Sequence, residues 1–213
     1  MRLSLSAILL LSSLAPAVAH PHVFVTARSE IVYDQARRFV GVRHAWTFDD
    51  MFSAFATQGL DTNGDGRLSR EELQSLAQTN VDSLKEFDYF TVVRLGGKKL
   101  LFKAPVDYWL EFSGGVLTLH FLLPANAPQE QGQKALALEV YDPTYYVAFD
   151  LAEDAPVSIS GAPDCVANVV RPKPLDAAQQ AAAVKLDEAA FSALDSNKDF
   201  GAQFAPRILV NCP

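Results

Sequence analysis

The sequence predicts a mainly β protein: an antiparallel, sandwich-like sheet with a helix–loop–helix inserted early and a helix near the C-terminal end. Three observations predict it. Short runs rich in β-branched and aromatic residues recur, separated by turn residues such as Gly96-Gly97 and Ser113-Gly114-Gly115. Between residues 48 and 84 the apolar spacing changes from two to three or four. Around residues 176–194 alanine dominates, as suits a helix.

Taken in order, residues 22–33 and 39–48 form a hairpin around the polar turn Asp34-Gln35-Ala36-Arg37. Period two puts Val40, Val42, His44, Trp46 and Phe48 on one face of the return strand. Phe48, Phe52, Phe55 and Leu60 then mark one helix, and Leu73, Leu76, Ala77, Val81 and Leu84 another. Strands resume at 91–95 and 98–102, a tight hairpin, and at 108–112 and 116–123, a second. Residues 124–133, rich in Pro, Gln and Asn, are expected as a loop. Further strands are expected at 135–141, 145–151 and 157–160, a linker at 172–174, and an edge strand at 207–210. The domain organisation is a β-rich domain at 20–170, interrupted by the helical insert at about 49–86, and a helical tail at 171–213.

Residues 1–19 place the protein in the cell. They carry one positive charge, Arg2, an apolar stretch at 3–14 and the small-x-small end Ala17-Val18-Ala19, the parts of a secretory signal peptide. The apolar run is shorter than the ~20 residues a transmembrane helix needs. Cleavage after Ala19 is expected to release a mature chain into the periplasm, starting at His20 and without membrane insertion. No cysteine follows the cut, which argues against a lipoprotein. Roughly 190 residues then remain, enough for one domain with a core. The net charge of −7 excludes a basic nucleic-acid surface and favours cations as ligands. The two cysteines, Cys165 and Cys212, are expected to pair as a disulfide in an exported chain, tying the tail back; two thiolates ligating a metal are the alternative.

The segment between the two helices has a definite chemistry. Asp61-Thr62-Asn63-Gly64-Asp65-Gly66-Arg67-Leu68-Ser69-Arg70-Glu71-Glu72 fits the twelve-residue EF-hand calcium loop. Oxygen donors fall at Asp61, Asn63, Asp65, Ser69 and Glu72, Arg67 supplies a backbone carbonyl, and Gly66 allows the bend. Calcium, a hard ion, takes about six to eight oxygens in this way. A second acidic stretch, Asp195-Ser196-Asn197-Lys198-Asp199, fails the pattern, because Phe200 replaces the bend glycine and Pro206 the closing glutamate. A lone loop in an exported protein suits a structural brace of weak affinity, about 10⁻⁴–10⁻³ M, better than a sensor.

Nitrogen donors are few. A mature start at His20-Pro21-His22 offers an α-amine and two imidazoles, and an extended backbone sends residues 20 and 22 to one side. Such donors suit Zn²⁺, Ni²⁺, Co²⁺ or Cu²⁺. Pro21 lacks the amide hydrogen that a square-planar amide site needs. His44, on the same hairpin, and His120 complete a possible three- or four-ligand set. The bland alternatives are a solvated terminus and a hydrogen-bonded core histidine.

His20-Pro21-His22-Val23-Phe24-Val25, Arg43-His44-Ala45-Trp46-Thr47-Phe48-Asp49, Leu84-Lys85-Glu86-Phe87-Asp88-Tyr89-Phe90 and Tyr141-Asp142-Pro143-Thr144-Tyr145-Tyr146 resemble an uncharacterised family of bacterial periplasmic proteins. That family is often labelled the periplasmic component of an ABC-type transport system and is found beside nickel/cobalt-type permeases. The resemblance implies handling of a divalent transition metal, with the family's histidines falling on His20, His22 and His44. The chain is too short and too β-rich for a two-lobed solute-binding protein, so an accessory to an inner-membrane metal permease is the expected function. The alternatives are a calcium-braced interaction module without transition metal, and a copper-dependent oxidative enzyme built on the N-terminal histidine. The sequence contains no G-x-S-x-G or H-E-x-x-H motif, which argues against a hydrolase.

Overall fold

A computed structural model describes residues 21–173 and 200–213. The expected signal peptide, His20, the alanine-rich helix and the second acidic stretch lie outside the described residues. The chain is mainly β. β1 (Val23–Tyr33) and β2 (Arg38–Phe48) form the expected antiparallel hairpin. Its turn is closed by the Asp34 carboxylate, which accepts from the Arg38 backbone N–H and guanidinium. The helices α1 (Asp50–Ala56) and α2 (Arg70–Leu84) follow, then a 3-10 turn at Lys85–Phe90. The remaining strands are β3 (Thr91–Leu95), β4 (Lys98–Lys99), β5 (Val106–Ser113), β6 (Val116–Glu130), β7 (Leu136–Val140), β8 (Val147–Leu151), β9 (Val157–Ser160), β10 (Val166–Val170) and β11 (Arg207–Asn211).

The strands form two sheets. The first runs β5-β6-β2-β1-β8, with β9 also on β1; the second runs β10-β11-β7-β3-β4. The expectation of purely antiparallel pairing is corrected on one edge. β8 and β9 both run parallel to β1, along residues 23–27 and 29–32 respectively. The expected edge strand at 207–210 is interior: β11 lies between β10 and β7. Ile208 and Val210 turn one face into the core, an alternation that edge and interior strands share, so the local pattern does not tell the two apart. β10 was not singled out from the sequence.

Two further differences have one cause. The segment expected as a loop from Pro124 continues β6 to Glu130, pairing with Arg38 and Phe39. On β2 the register shifts between Phe39 and Gly41, so Phe39 rather than Val40 turns inward beside Val42. The irregularity seats Pro124 opposite Gly41, where the proline costs no regular ladder bond. A Cβ on Gly41 would meet the Leu123 carbonyl oxygen at 2.7 Å, so the close approach of β2 and β6 requires glycine.

One hydrophobic cluster takes residues from both sheets and from α2, including Trp46, Phe39, Phe121, Leu138, Ile208 and Leu73. Each such side chain contributes about 1.5–3 kcal/mol by burial. The Trp46 ring touches those of Phe121, Phe90 and Phe149. On α2, Leu73, Ala77, Val81 and Leu84 are buried, as their spacing predicts. α1 differs: Phe52 packs against the core, with its ring 4.7 Å from Phe48, but Phe55 faces solvent. Cys165 and Cys212 are joined as a disulfide.

Candidate functional site

The loop 61–72 is organised by its own carboxylates. Asp61 Oδ1 accepts from the backbone N–H of Gly64 and Asp65, and its Oδ2 from Gly66. Asn63 Oδ1 accepts from Asp65 N–H, and Asp65 Oδ1 from Arg67 N–H. These turns demand positive φ at Gly64 and Gly66, which stand at 71° and 77°. At the far end Ser69 caps α2, and Glu72 returns its Oε2 to the Ser69 N–H in a capping box. Glu72 Oε1 accepts from the Thr62 N–H and hydroxyl, clasping the start of the loop to its end. Donation from Ser69, then from Thr62, holds the Glu72 carboxyl down to about 2, so it is ionised throughout the physiological range.

The donor set is all oxygen and anionic, which fits a hard divalent cation. Asp61, Asn63, Asp65, Ser69, Glu72 and the Arg67 carbonyl are the residues that would hold it. Among the described residues no three or more His, Cys, Asp or Glu side chains already gather around a common point. Glu72 in particular faces backbone and hydroxyl donors and would have to exchange them for the ion.

The histidines do not form the expected set. His44 is buried, with Nδ1 3.0 Å from Ser29 Oγ and Nε2 3.3 Å from Thr91 Oγ1. Thr91 commits its hydroxyl hydrogen to the Tyr89 carbonyl, so it accepts from His44 Nε2–H and Nδ1 accepts from Ser29. Burial lowers the His44 pKa to about 3, keeping the ring neutral. Its position in a metal set is therefore corrected: both nitrogens are occupied in the core. On β6, His120 is adjacent to Phe121, the cross-strand partner of His44, and so projects from the opposite face of the sheet. One ion cannot be shared by the two. His22 is exposed at the start of β1; its N–H donates to the Tyr146 carbonyl and its ring lies 4.7 Å from that of Tyr146. Two of the sequence stretches quoted above thus meet at the edge of the first sheet. Asp142 holds the second in shape by accepting from Thr144 and Val147 N–H groups.

A grouping that the sequence reading missed lies beside the loop. Trp109 and His120 are cross-strand partners with rings stacked 4.7 Å apart, and the Arg70 guanidinium sits 4.7 Å from the centre of the indole. Glu111 Oε2 lies 3.4 Å from His120 Nε2; desolvation lowers the imidazole's pKa and the glutamate opposes that shift. Arg70 and Trp109 line a cleft of about 410 Å³ between α2 and β5, together with Glu71, Gln74, Gln78, Asp107 and Tyr108 among others. The register was available: counting back from the Gly114-Gly115 turn pairs Trp109 with His120.

The chain is 26% identical over 196 residues to an uncharacterised protein of Haemophilus influenzae, covering 92% of each. It is 31% identical over 99 residues to an uncharacterised 15.5 kDa protein of Spirochaeta aurantia, covering 46% of this chain and 70% of that one. A family model described as "Protein of unknown function (DUF1007)" matches residues 5–212. Matched over nearly its whole length, the chain belongs to the DUF1007 family.

Proposed function

We propose that this protein is an exported, periplasmic cation-binding accessory protein, with Ca²⁺ held by the loop 61–72. The observation that carries the reading is the loop's inward network, in which Asp61 takes three successive-region amides, from Gly64, Asp65 and Gly66, and leads into the Ser69/Glu72 capping box. An anionic oxygen donor set in this order, with positive φ at Gly64 and Gly66, suits a calcium EF-hand. Export is supported by residues 1–19 and by the Cys165–Cys212 disulfide, which persists in an oxidising compartment. Stacking of the sheets as a sandwich is supported by the His44–Thr91 bond, which joins β2 to β3. Among the described residues no helix is long and apolar enough to cross a membrane.

Calorimetric titration of the mature protein tests the calcium site. The expected result is one calcium per chain in the range of about 10⁻⁴–10⁻³ M, weakened about tenfold or more in Glu72→Gln. Absence of calcium uptake by the native protein at several millimolar would overturn it.

A second reading keeps a transition metal, Zn²⁺, Ni²⁺, Co²⁺ or Cu²⁺, at His20 and His22, in service of an inner-membrane permease. It is supported by the position of His22 at the exposed mouth of β1. His44 and His120 take no part in it. Titration of protein with a native His20 terminus, beside His20→Ala/His22→Ala, decides: tight binding lost in the variant supports the reading, and no binding by either removes it. The copper-enzyme alternative has no supporting second histidine, since His44 is sealed in the core.

A further inference from the structure

The cleft between α2 and β5 begins where the calcium loop ends. Arg70 and Glu71 are the tenth and eleventh residues of the loop and also line the cleft. Arg70 rests on Trp109, which rests in turn on His120. The facing wall is irregular: the β5–β6 register shifts between Val106 and Trp109, and Asp107 stands at a φ of 50°, a left-handed conformation that disfavours side chains. Farther along, the Tyr108 hydroxyl donates to Gln78 Oε1 and so bridges β5 to α2. Its volume of about 410 Å³ falls within the range of small-molecule sites.

We propose that this cleft is coupled to the ion state of the loop, with Arg70 and Trp109 as the link; the proposal rests on the calcium reading above. The coupling follows from a competition at Glu72. The Glu72 carboxylate oxygens accept from Thr62 and Ser69. An ion in the loop takes those oxygens instead, and Glu72 stands in the first turn of α2, two residues beyond Arg70. Leu73, Ala77, Val81 and Leu84 hold the inner side of the helix in the core, so the change is confined to its first turn. There it moves the guanidinium across the indole and reshapes the cleft. A ligand that prefers one cleft shape would, by linkage, alter calcium affinity.

The test follows calcium binding by calorimetry and tryptophan emission in parallel on the mature protein, in native, Trp109→Phe and Arg70→Ala forms. Trp46 and Trp109 are the two tryptophans, and Trp46 is sealed in the core. The expected result is an emission change that saturates with the calorimetric isotherm, disappears in Trp109→Phe and is reduced in Arg70→Ala, each followed at calcium concentrations that saturate that variant's own isotherm. Calcium uptake without an emission change overturns the coupling, as does a change that survives in Trp109→Phe or is undiminished in Arg70→Ala. Absence of calcium uptake overturns the loop reading itself, a distinct outcome.

Discussion

His44 has Trp46 and Phe121 against its ring and a hydroxyl on each nitrogen, so a second ring proton, on Nδ1, must displace the hydrogen that Ser29 donates. Its folded pKa, about 3, lies below the ordinary 6.5 because of burial. The unfolded chain therefore takes up a proton between those values while the folded chain does not. Stability from this group is fully present above about pH 6.5 and falls by about 1.4 kcal/mol per pH unit as pH drops toward 3. Urea midpoints measured from about pH 7 to about pH 4 should show this slope, and His44→Gln should flatten it at a cost in stability at neutral pH. An unchanged slope in the variant would assign acid sensitivity to the carboxylates instead. The inward placement of His44 was legible from period two on β2. Its partners were not, because Thr91 reaches it from 47 residues away in another sheet. The loop residues were legible individually from their spacing, whereas the preference of Glu72 for Thr62 is a property of the closed loop.

At the scale of elements, the hairpins announced themselves through their turns, and α2 through its apolar spacing. What the spacing misjudged was continuity. Pro124 and Pro128 suggest a loop, yet β6 passes through both, held on one side by β2 and on the other by the Lys103–Pro124 and Asn126–Leu101 backbone bonds. A proline is tolerated where the ladder is already irregular, and the irregularity lies in β2, out of sight of the local sequence. The same register shift moves Phe39 into the core. Gly41→Ala should therefore destabilise the protein by about 1–3 kcal/mol, through the forced separation of β2 and β6, as measured by chemical denaturation. A neutral outcome would mean that the Leu123 carbonyl yields without loss of the pairing.

At the scale of the molecule, the disulfide closes a separation of 47 residues and joins the segment before β10 to the residue after β11. On the chain-entropy model such a closure is worth about 4 kcal/mol. Cys165→Ser/Cys212→Ser should lose stability of that order, read by chemical denaturation against the native protein; an unchanged stability would mean that the disulfide closes a loop already held by the pairing of β10 with β11. The pairing was legible from the even cysteine count. The parallel placement of β8 and β9 on β1 was not, because short strands of like composition carry no mark of their direction.

The interior position of β11 has a consequence for how the molecule comes into being. A polypeptide emerges amino end first, and β3, β4 and β7 emerge long before residues 207–211. Until then β7 has β3 on one side and an open edge on the other. The second sheet closes no earlier than the arrival of β11, which favours late folding. A nascent chain interrupted before residue 207 would carry that open edge as its mark for chaperones and proteases.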